Sequence, residues 1–475
     1  MRKFSFALIG LATLSGCNLA PPYRQPAPPV YDAYPVATSG GTRVATEIGW
    51  QSFFGDAQLK AYIAAALANN RDLAASVARI AQARAQYRIQ NSERLPQVGV
   101  GASGTRTRTP IGSLGLGDTL NQGDTEVPDA FTASQYNVQV AVTSFELDFW
   151  GRVRNLSAAA RGRYLATVEA ERAFRLSLIS DVAASYYAIR AGEEGISLAE
   201  RTVLTRREAL EIARLRLDAG VTSSVDYDQA AVLVTQAKTE LADLRRSTEQ
   251  QRNALLVLIG GPMTGELPRG RRIEDPGQFE PLDAGLPSLL LINRPDVLQA
   301  EQELRAANAD IGAARAAFFP TISLTGNYGF ASPDLGDLLK RSAQSWTFGA
   351  LLNLPIFDGG RREAQLGQAR ARQEELVATY QRTVQNAFRE VSDALVGRQR
   401  YREQIRAQEE AVAAYRRLAQ TARDRYDNGI SIYLEVLDAE RNLFSAEQQL
   451  IQLRATALQN GVSLYTALGG GLRAQ

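Results

Sequence analysis

"TISLTGNYGF", Thr321 to Phe330, alternates. Ile322, Leu324, Gly326, Tyr328 and Phe330 are mostly apolar, and Thr321, Ser323, Thr325 and Asn327 between them are polar. A period of two marks a strand with one apolar and one polar face. The long runs of Ala, Arg, Gln, Glu and Leu around it have the composition of helix. The fold turns on why a short two-faced strand sits in such a chain. Three other stretches alternate in the same way: Val98, Val100 and Ala102; Tyr136, Val138, Val140 and Val142; Trp346, Phe348, Ala350, Leu352 and Leu354. Strands are therefore expected over 97–106, 134–146, 321–330 and 346–356, close to the roughly 9–11 residues of a tilted strand crossing a bilayer. Aromatics gather on the apolar faces of the last three, as they do on lipid-facing barrel strands.

A soluble sheet sandwich would alternate too, but it needs more strands or helices covering the apolar faces. Four strands cannot close a barrel, an open edge is not tolerated in lipid, and the smallest barrels have about eight strands. In a membrane, several copies must pool their strands, and three copies would supply twelve.

The chain also repeats itself. "NRDLAASVARIAQARAQYRIQNSERLP" (Asn70–Pro96) matches "RPDVLQAEQELRAANADIGAARAAFFP" (Arg294–Pro320), and "LDAGVTSSVDYDQA" (Leu217–Ala230) matches "YDNGISIYLEVLDA" (Tyr426–Ala439). The offset falls from about 224 to about 209, so copy one carries about 15 extra residues, placed in a longer loop within Thr107–Ala133. Each copy reads as a helix of roughly 40 residues ending at a proline, two strands, a very long helix, a glycine turn and a returning helix. Arg152 to Leu217 contains no proline, and at 1.5 Å per residue it spans roughly 100 Å. Gly220 and Gly429 mark the turns, because glycine accepts left-handed backbone angles. Leu437, Phe444, Leu450, Leu453 and Leu458 recur at coiled-coil spacing.

Charge and composition narrow the function. Removing Arg2 and Lys3 with a leader lowers Lys+Arg from 53 to 51, against 51 Asp+Glu, so the remainder is near neutral. Nucleic acid is not an expected partner, since binding it needs a basic surface. The absence of His excludes imidazole base chemistry and His metal sites. No catalytic residue, metal site or cofactor is expected. "LIGGP" and "LGGG" lack the Lys-Ser/Thr of a phosphate-binding loop and read as helix ends. At the start, two basic residues, an apolar run from Phe4 to Leu14 and then "LSGC" form a secretory leader. "LSGC" resembles the bacterial lipobox, which implies a diacylglycerol on Cys17, with Asn18 directing export to the outer membrane. The parts expected are a signal peptide over 1–16, a lipidated Pro-rich tether over 17–48, repeat one over 49–262, a linker over 263–285, repeat two over 286–471 and a tail over 472–475.

"WQSFFGDAQLKAYIAAALANNRDL", "NRPDVLQAEQELRAANADIGAARAAFFPTISL", "PIFDGGRR" and "YLEVLDAERNLFSAEQQLI", with the closing "LYTALGGG", resemble the TolC/OprM outer-membrane efflux family in its NodT-like lipoprotein branch. The resemblance covers essentially the whole mature chain. It implies an α+β membrane protein: a homotrimer with a twelve-stranded outer-membrane β-barrel, four strands per chain, continued by a periplasmic α-helical coiled-coil barrel. It also implies a passive exit duct for an inner-membrane pump of the resistance–nodulation–division type, joined through a periplasmic adaptor protein.

A duct needs a gate. Leu434, Asp438 and Arg441 lie at i, i+4 and i+7, on one helix face, with Glu435 one turn before Asp438. Their counterparts in copy one are Val225, Gln229, Val232 and Asp226. By spacing alone these charges fit an ordinary solvated helix face as well as a gate. The family resemblance implies a constriction, with Leu434 as an apolar ring, Asp438 and Glu435 as an acidic collar favouring cations, and Arg441 as a partner for Asp438. A TolC-style latch would join Asp226 to Tyr426, but Ser431 stands where its arginine would be. Two other readings remain: the exit duct of a type I protein secretion system, and a structural coiled-coil lipoprotein that transports nothing.

Overall fold

The computed structural model describes residues 18–35, 44–110, 130–263, 265–285 and 287–471. The signal peptide, Cys17, the tail and residues 111–129 of the long loop lie outside these. Seven helices longer than two turns occur among the described residues: α1 Ala57–Asn69, α2 Arg71–Ser92, α3 Arg152–Asp218, α4 Ser224–Ile259, α5 Pro295–Ala316, α6 Arg361–Asp427 and α7 Tyr433–Ala467. None is long and apolar enough to cross a membrane.

The chain divides into two compact units. The first comprises residues up to 25, 82–164 and 302–377. It holds one antiparallel sheet of β1 Val98–Pro110, β2 Ala130–Glu146, β3 Thr321–Ser332 and β4 Gln344–Asn353, in the order β1-β2-β3-β4. The β2–β3 pair joins the two repeats. Val100 lies opposite Val140, Val140 opposite Tyr328, and Tyr328 opposite Trp346, so one apolar row crosses the sheet. The adjacent row, Gly101, Gln139, Gly329 and Ser345, is small and polar. A bulge between Val142 and Phe145 adds one residue to β2 and returns Phe145 to the apolar face, opposite Leu324. That face is uncovered, with Val100 79% and Trp346 71% exposed. β1 and β4 each pair on one side only.

Strand ends differ from expectation for identifiable reasons. β1 and β2 run on to Pro110 and back to Ala130, because threonine-rich sequence pairs as readily as the apolar core of each strand. β4 stops at Asn353 rather than 356. Pro355 has no N–H to donate to the ladder. At the base of the sheet, the Trp150 indole N–H donates to the Pro320 carbonyl at 2.8 Å and the ring stacks on Phe319. This levels the end of β2 with the start of β3.

The second unit comprises residues 26–81, 165–301 and 378–475. Its core stacks Phe53 on Tyr465, ring centres 3.9 Å apart, with Phe279 against the other side of Phe53 at 5.0 Å. Phe279 belongs to the expected linker, which is therefore packed into the core. The helix of roughly 40 residues expected in each copy is broken in both. In copy one, Asn70 leaves the helix, its Oδ1 accepting from Leu73 N–H and its Nδ2 donating to the Leu258 carbonyl, each at 2.8 Å. In copy two, Leu290–Asn293 ends at an extended Arg294 because Pro295, without an N–H, starts the next helix.

Candidate functional site

The two helix-tip turns share one backbone. Gly220 and Gly429 take φ of 71° and 73°. Val221 N–H donates to the Arg216 carbonyl and Ile430 N–H to the Arg425 carbonyl, at 2.9 and 2.8 Å, the closing bond of a Schellman turn. Each glycine thus ends a long helix, α3 or α6, and reverses the chain into α4 or α7.

α7 has two distinct faces. Tyr433, Val436 and Leu437 are buried in a small-residue core with Ala209, Ala213, Ala230, Ala419 and Ala422. Leu434, Asp438 and Arg441 lie on the adjoining face and are exposed. They line a groove of about 460 Å³ together with Val225, Gln229 and Val232, their counterparts in copy one. Duplication thus sets the two versions of the face side by side. Arg441 pairs with Asp438 of its own chain at 2.9 Å, both side chains more than half exposed. Such a pair adds at most about 1 kcal/mol and is broken easily. Glu435 approaches Arg425 across the turn at 3.9 Å.

Asp226 and Tyr426 have other partners. The Thr222 hydroxyl is bonded to Asp226. Tyr426 is buried, packed on Tyr433 at 4.9 Å and covered by the Arg216 guanidinium, 4.3 Å from the ring centre. No hydrogen bond joins Asp226 to Tyr426 among the described residues.

Behind the tip lies a charged cluster that the sequence reading missed. Arg206 is buried; its Nη1 donates to the Leu233 carbonyl at 3.0 Å, its guanidinium lies 5.4 Å from the Phe444 ring centre, and its Nε has no hydrogen-bond partner. Arg423 reaches Glu440 at 3.3 Å. Burial pushes the Glu440 carboxyl above its ordinary range, although Arg423 and Arg206 pull the other way. The Tyr433 hydroxyl is pushed up to about 12, first by burial and then by Glu440. Arg206 interrupts the buried stripe of Leu198, Val203, Ala209 and Ala213, and Glu440 interrupts that of Tyr433, Val436 and Leu437. A charge inside an apolar stripe was the signal available in the sequence.

No group of His, Cys, Asp and Glu among the described residues is arranged to hold a metal ion. The sequence matches the family described as outer membrane efflux protein over residues 62–261 and 286–470. It is 41% identical over 477 residues to the solvent efflux pump outer membrane protein SrpC of Pseudomonas putida, covering 99% of both chains. With the cation efflux system protein CusC of Escherichia coli it shares 40% over 462 residues, 96% of this chain and 97% of that one. The fold superposes on the open state of the MtrE outer membrane channel of Neisseria gonorrhoeae with a TM-score of 0.86 and 37% identity, covering 96% of this chain and 99% of that one. The chain belongs to the outer membrane efflux protein family.

Proposed function

We propose that three copies of this chain form the outer-membrane exit duct of an efflux pump, each contributing four strands to one twelve-stranded barrel. The observation that carries this reading is the sheet. Its apolar row, Val100, Val140, Tyr328 and Trp346, is uncovered, and β1 and β4 each have an unpaired edge. Lipid against that face, and β1 of one copy against β4 of the next, would satisfy both needs together. The helices would continue the duct into the periplasm, where an adaptor protein joins it to a pump of the resistance–nodulation–division type. Energy comes from the pump, since the duct has no chemistry of its own. Cys17 would carry the lipid.

In a three-fold assembly the exposed face of α7 becomes a set of rings. Leu434 would narrow the passage, and Asp438 with Glu435 would favour cations. The Asp438–Arg441 pair, weak within one chain, leaves both groups available to a neighbouring copy. Asp226 and Tyr426 would meet only across such a boundary. Relatives are named for solvent, toluene, cation and antibiotic efflux. Cargo that varied on one scaffold is consistent with selection by the pump rather than the duct, and small molecules are the proposed cargo here.

Single-channel conductance of the purified trimer in a planar bilayer tests the reading. Small cation-selective currents that rise several-fold in the Asp438→Ala, Arg441→Ala double variant are expected. A pore unaffected by the variant would keep the duct and remove these residues from the gate. No current from a folded trimer would remove the duct.

A further inference from the structure

The N-terminal segment, expected as a Pro-rich tether, is held by side chains. Arg315 Nη1 donates to the Leu19 carbonyl at 3.2 Å and Asn308 Nδ2 to the Pro21 carbonyl at 2.7 Å. The Arg305 guanidinium lies 5.0 Å from the Tyr23 ring centre, and that ring packs against Leu304, Ala307 and Leu376. Ala20 lies over Gly312, where an added Cβ would be 2.8 Å from the Ala20 Cα and 2.6 Å from Asn155 Nδ2. Arg305, Asn308, Gly312 and Arg315 are spaced three, four and three apart, which makes them one face of α5.

The lengths agree. From Arg305 to Arg315 the helix rises about 15 Å, and the four steps from Tyr23 to Leu19, fully extended, span about 13 Å. The segment therefore runs antiparallel to α5, its N-terminal end directed toward Thr321, where β3 begins.

Only one copy can offer this face. At the repeat offset, Asn308 corresponds to Arg84 and Gly312 to Arg88, and both arginines stand exposed on α2. An arginine at the position of Gly312 would occupy the space taken by Ala20.

We propose that this face of α5 is a seat for the chain's own N-terminal segment, selected by Gly312 in copy two and denied by Arg88 in copy one. The seat fixes the start of the tether, so the anchoring end leaves the protein at the base of the sheet. Docking rests on the side chains named. The consequence for anchoring rests on the acylation of Cys17 proposed above.

Trypsin reports on the seat, because Arg24 is followed by Gln25 and is exposed, yet cleavage requires several flanking residues to lift away. Release of the peptide ending at Arg24, followed by mass spectrometry on the detergent-solubilised protein, is expected to be slow. The Asn308→Ala, Arg315→Ala double variant removes two hydrogen bonds and is expected to release it roughly ten-fold faster, with the thermal melt of the protein unchanged. Gly312→Arg is expected to speed release as well, with a lower melt because its Cβ also meets the buried Asn155, and Arg88→Gly to do nothing. Cys17→Ser behind an ordinary secretory leader is expected to stay slow, since the seat and not the lipid holds the segment. Wild-type rates in the double variant, or fast release from Cys17→Ser, would overturn the proposal. Neither outcome bears on conductance, so the seat and the duct can fail separately.

Discussion

At the turn between α3 and α4, the Thr222 hydroxyl is bonded to Asp226. At the turn between α6 and α7, Ser431 takes the place of Thr222, its Oγ buried without a partner, and Glu435, in the place of Asp226, reaches instead toward Arg425. The backbones of the two turns match to within 2° in glycine φ. Just beyond them, Val225, Gln229 and Val232 face Leu434, Asp438 and Arg441 across one groove. Duplication has held the glycine, which the left-handed geometry requires, and released the side chains that geometry does not constrain. The paired acid and base, Asp438 and Arg441, are found on one side only, while copy one lines the groove with Asp228 and no cation.

The largest expected effect tests that asymmetry. Asp438→Ala with Arg441→Ala should raise single-channel current several-fold, whereas Gln229→Ala with Val232→Ala should leave it near wild type. Equal effects would show that the groove acts as a whole and that the divergence of the copies carries no gating information.

A second contrast concerns the helix ends. Gly260 and Gly469 close α4 and α7 at φ of 88° and 78°. An alanine at 469 would place its Cβ 3.2 Å from the Asn293 carbonyl oxygen; at 260 it would be 2.3 Å from the Asn69 carbonyl oxygen. Both variants incur the left-handed strain of about 1–3 kcal/mol. Gly260→Ala should exceed Gly469→Ala because backbone must also move. Thermal melts of the two variants should differ in that order, and the reverse order would mean that the break at Asn70 yields more readily than its hydrogen bonds suggest.

Alternation and repetition are legible in the sequence alone. The row of Val100, Val140, Tyr328 and Trp346 and the turns at Gly220 and Gly429 follow from periods that local sequence enforces. What escaped was set by long-range contact. The break at Asn70 depends on the Leu258 carbonyl, 188 residues away. The seat for Ala20 depends on Gly312, which reads as an unremarkable small residue in a helix. Arg206 and Glu440 were visible as charges in apolar stripes, but only the fold shows that the two meet behind the tip. The latch between Asp226 and Tyr426 was carried by resemblance, and within one chain each residue has nearer partners.

Thr222→Ala removes the hydroxyl bonded to Asp226 in the first turn of α4. A loss of about 1 kcal/mol in local stability is expected, the usual net value of one hydrogen bond. Hydrogen exchange of the Asp226 and Tyr227 amides reads it directly, as roughly five-fold faster exchange. Ser431→Ala removes a buried hydroxyl that has no partner, so the amides of Glu435 and Val436 should exchange no faster. Acceleration there equal to that at the first turn would mean that the two hydroxyls hold their turns alike.

The smallest effect is expected from Arg425→Ala. Arg425 and Glu435 are about half exposed and 3.9 Å apart. A pair of that kind contributes about 0.5 kcal/mol or less, and salt screens it further. Exchange at the second turn should therefore barely change in low salt and not at all in high salt. The same experiment on Thr222→Ala should be insensitive to salt, because its hydrogen bond is local and partly buried. If Arg425→Ala instead loosens the second turn more than Thr222→Ala loosens the first, the contact Glu435 makes with Arg425 is stronger than the one Asp226 makes with Thr222. The divergence of the copies would then have strengthened the second turn, leaving α7 less free to move than α4.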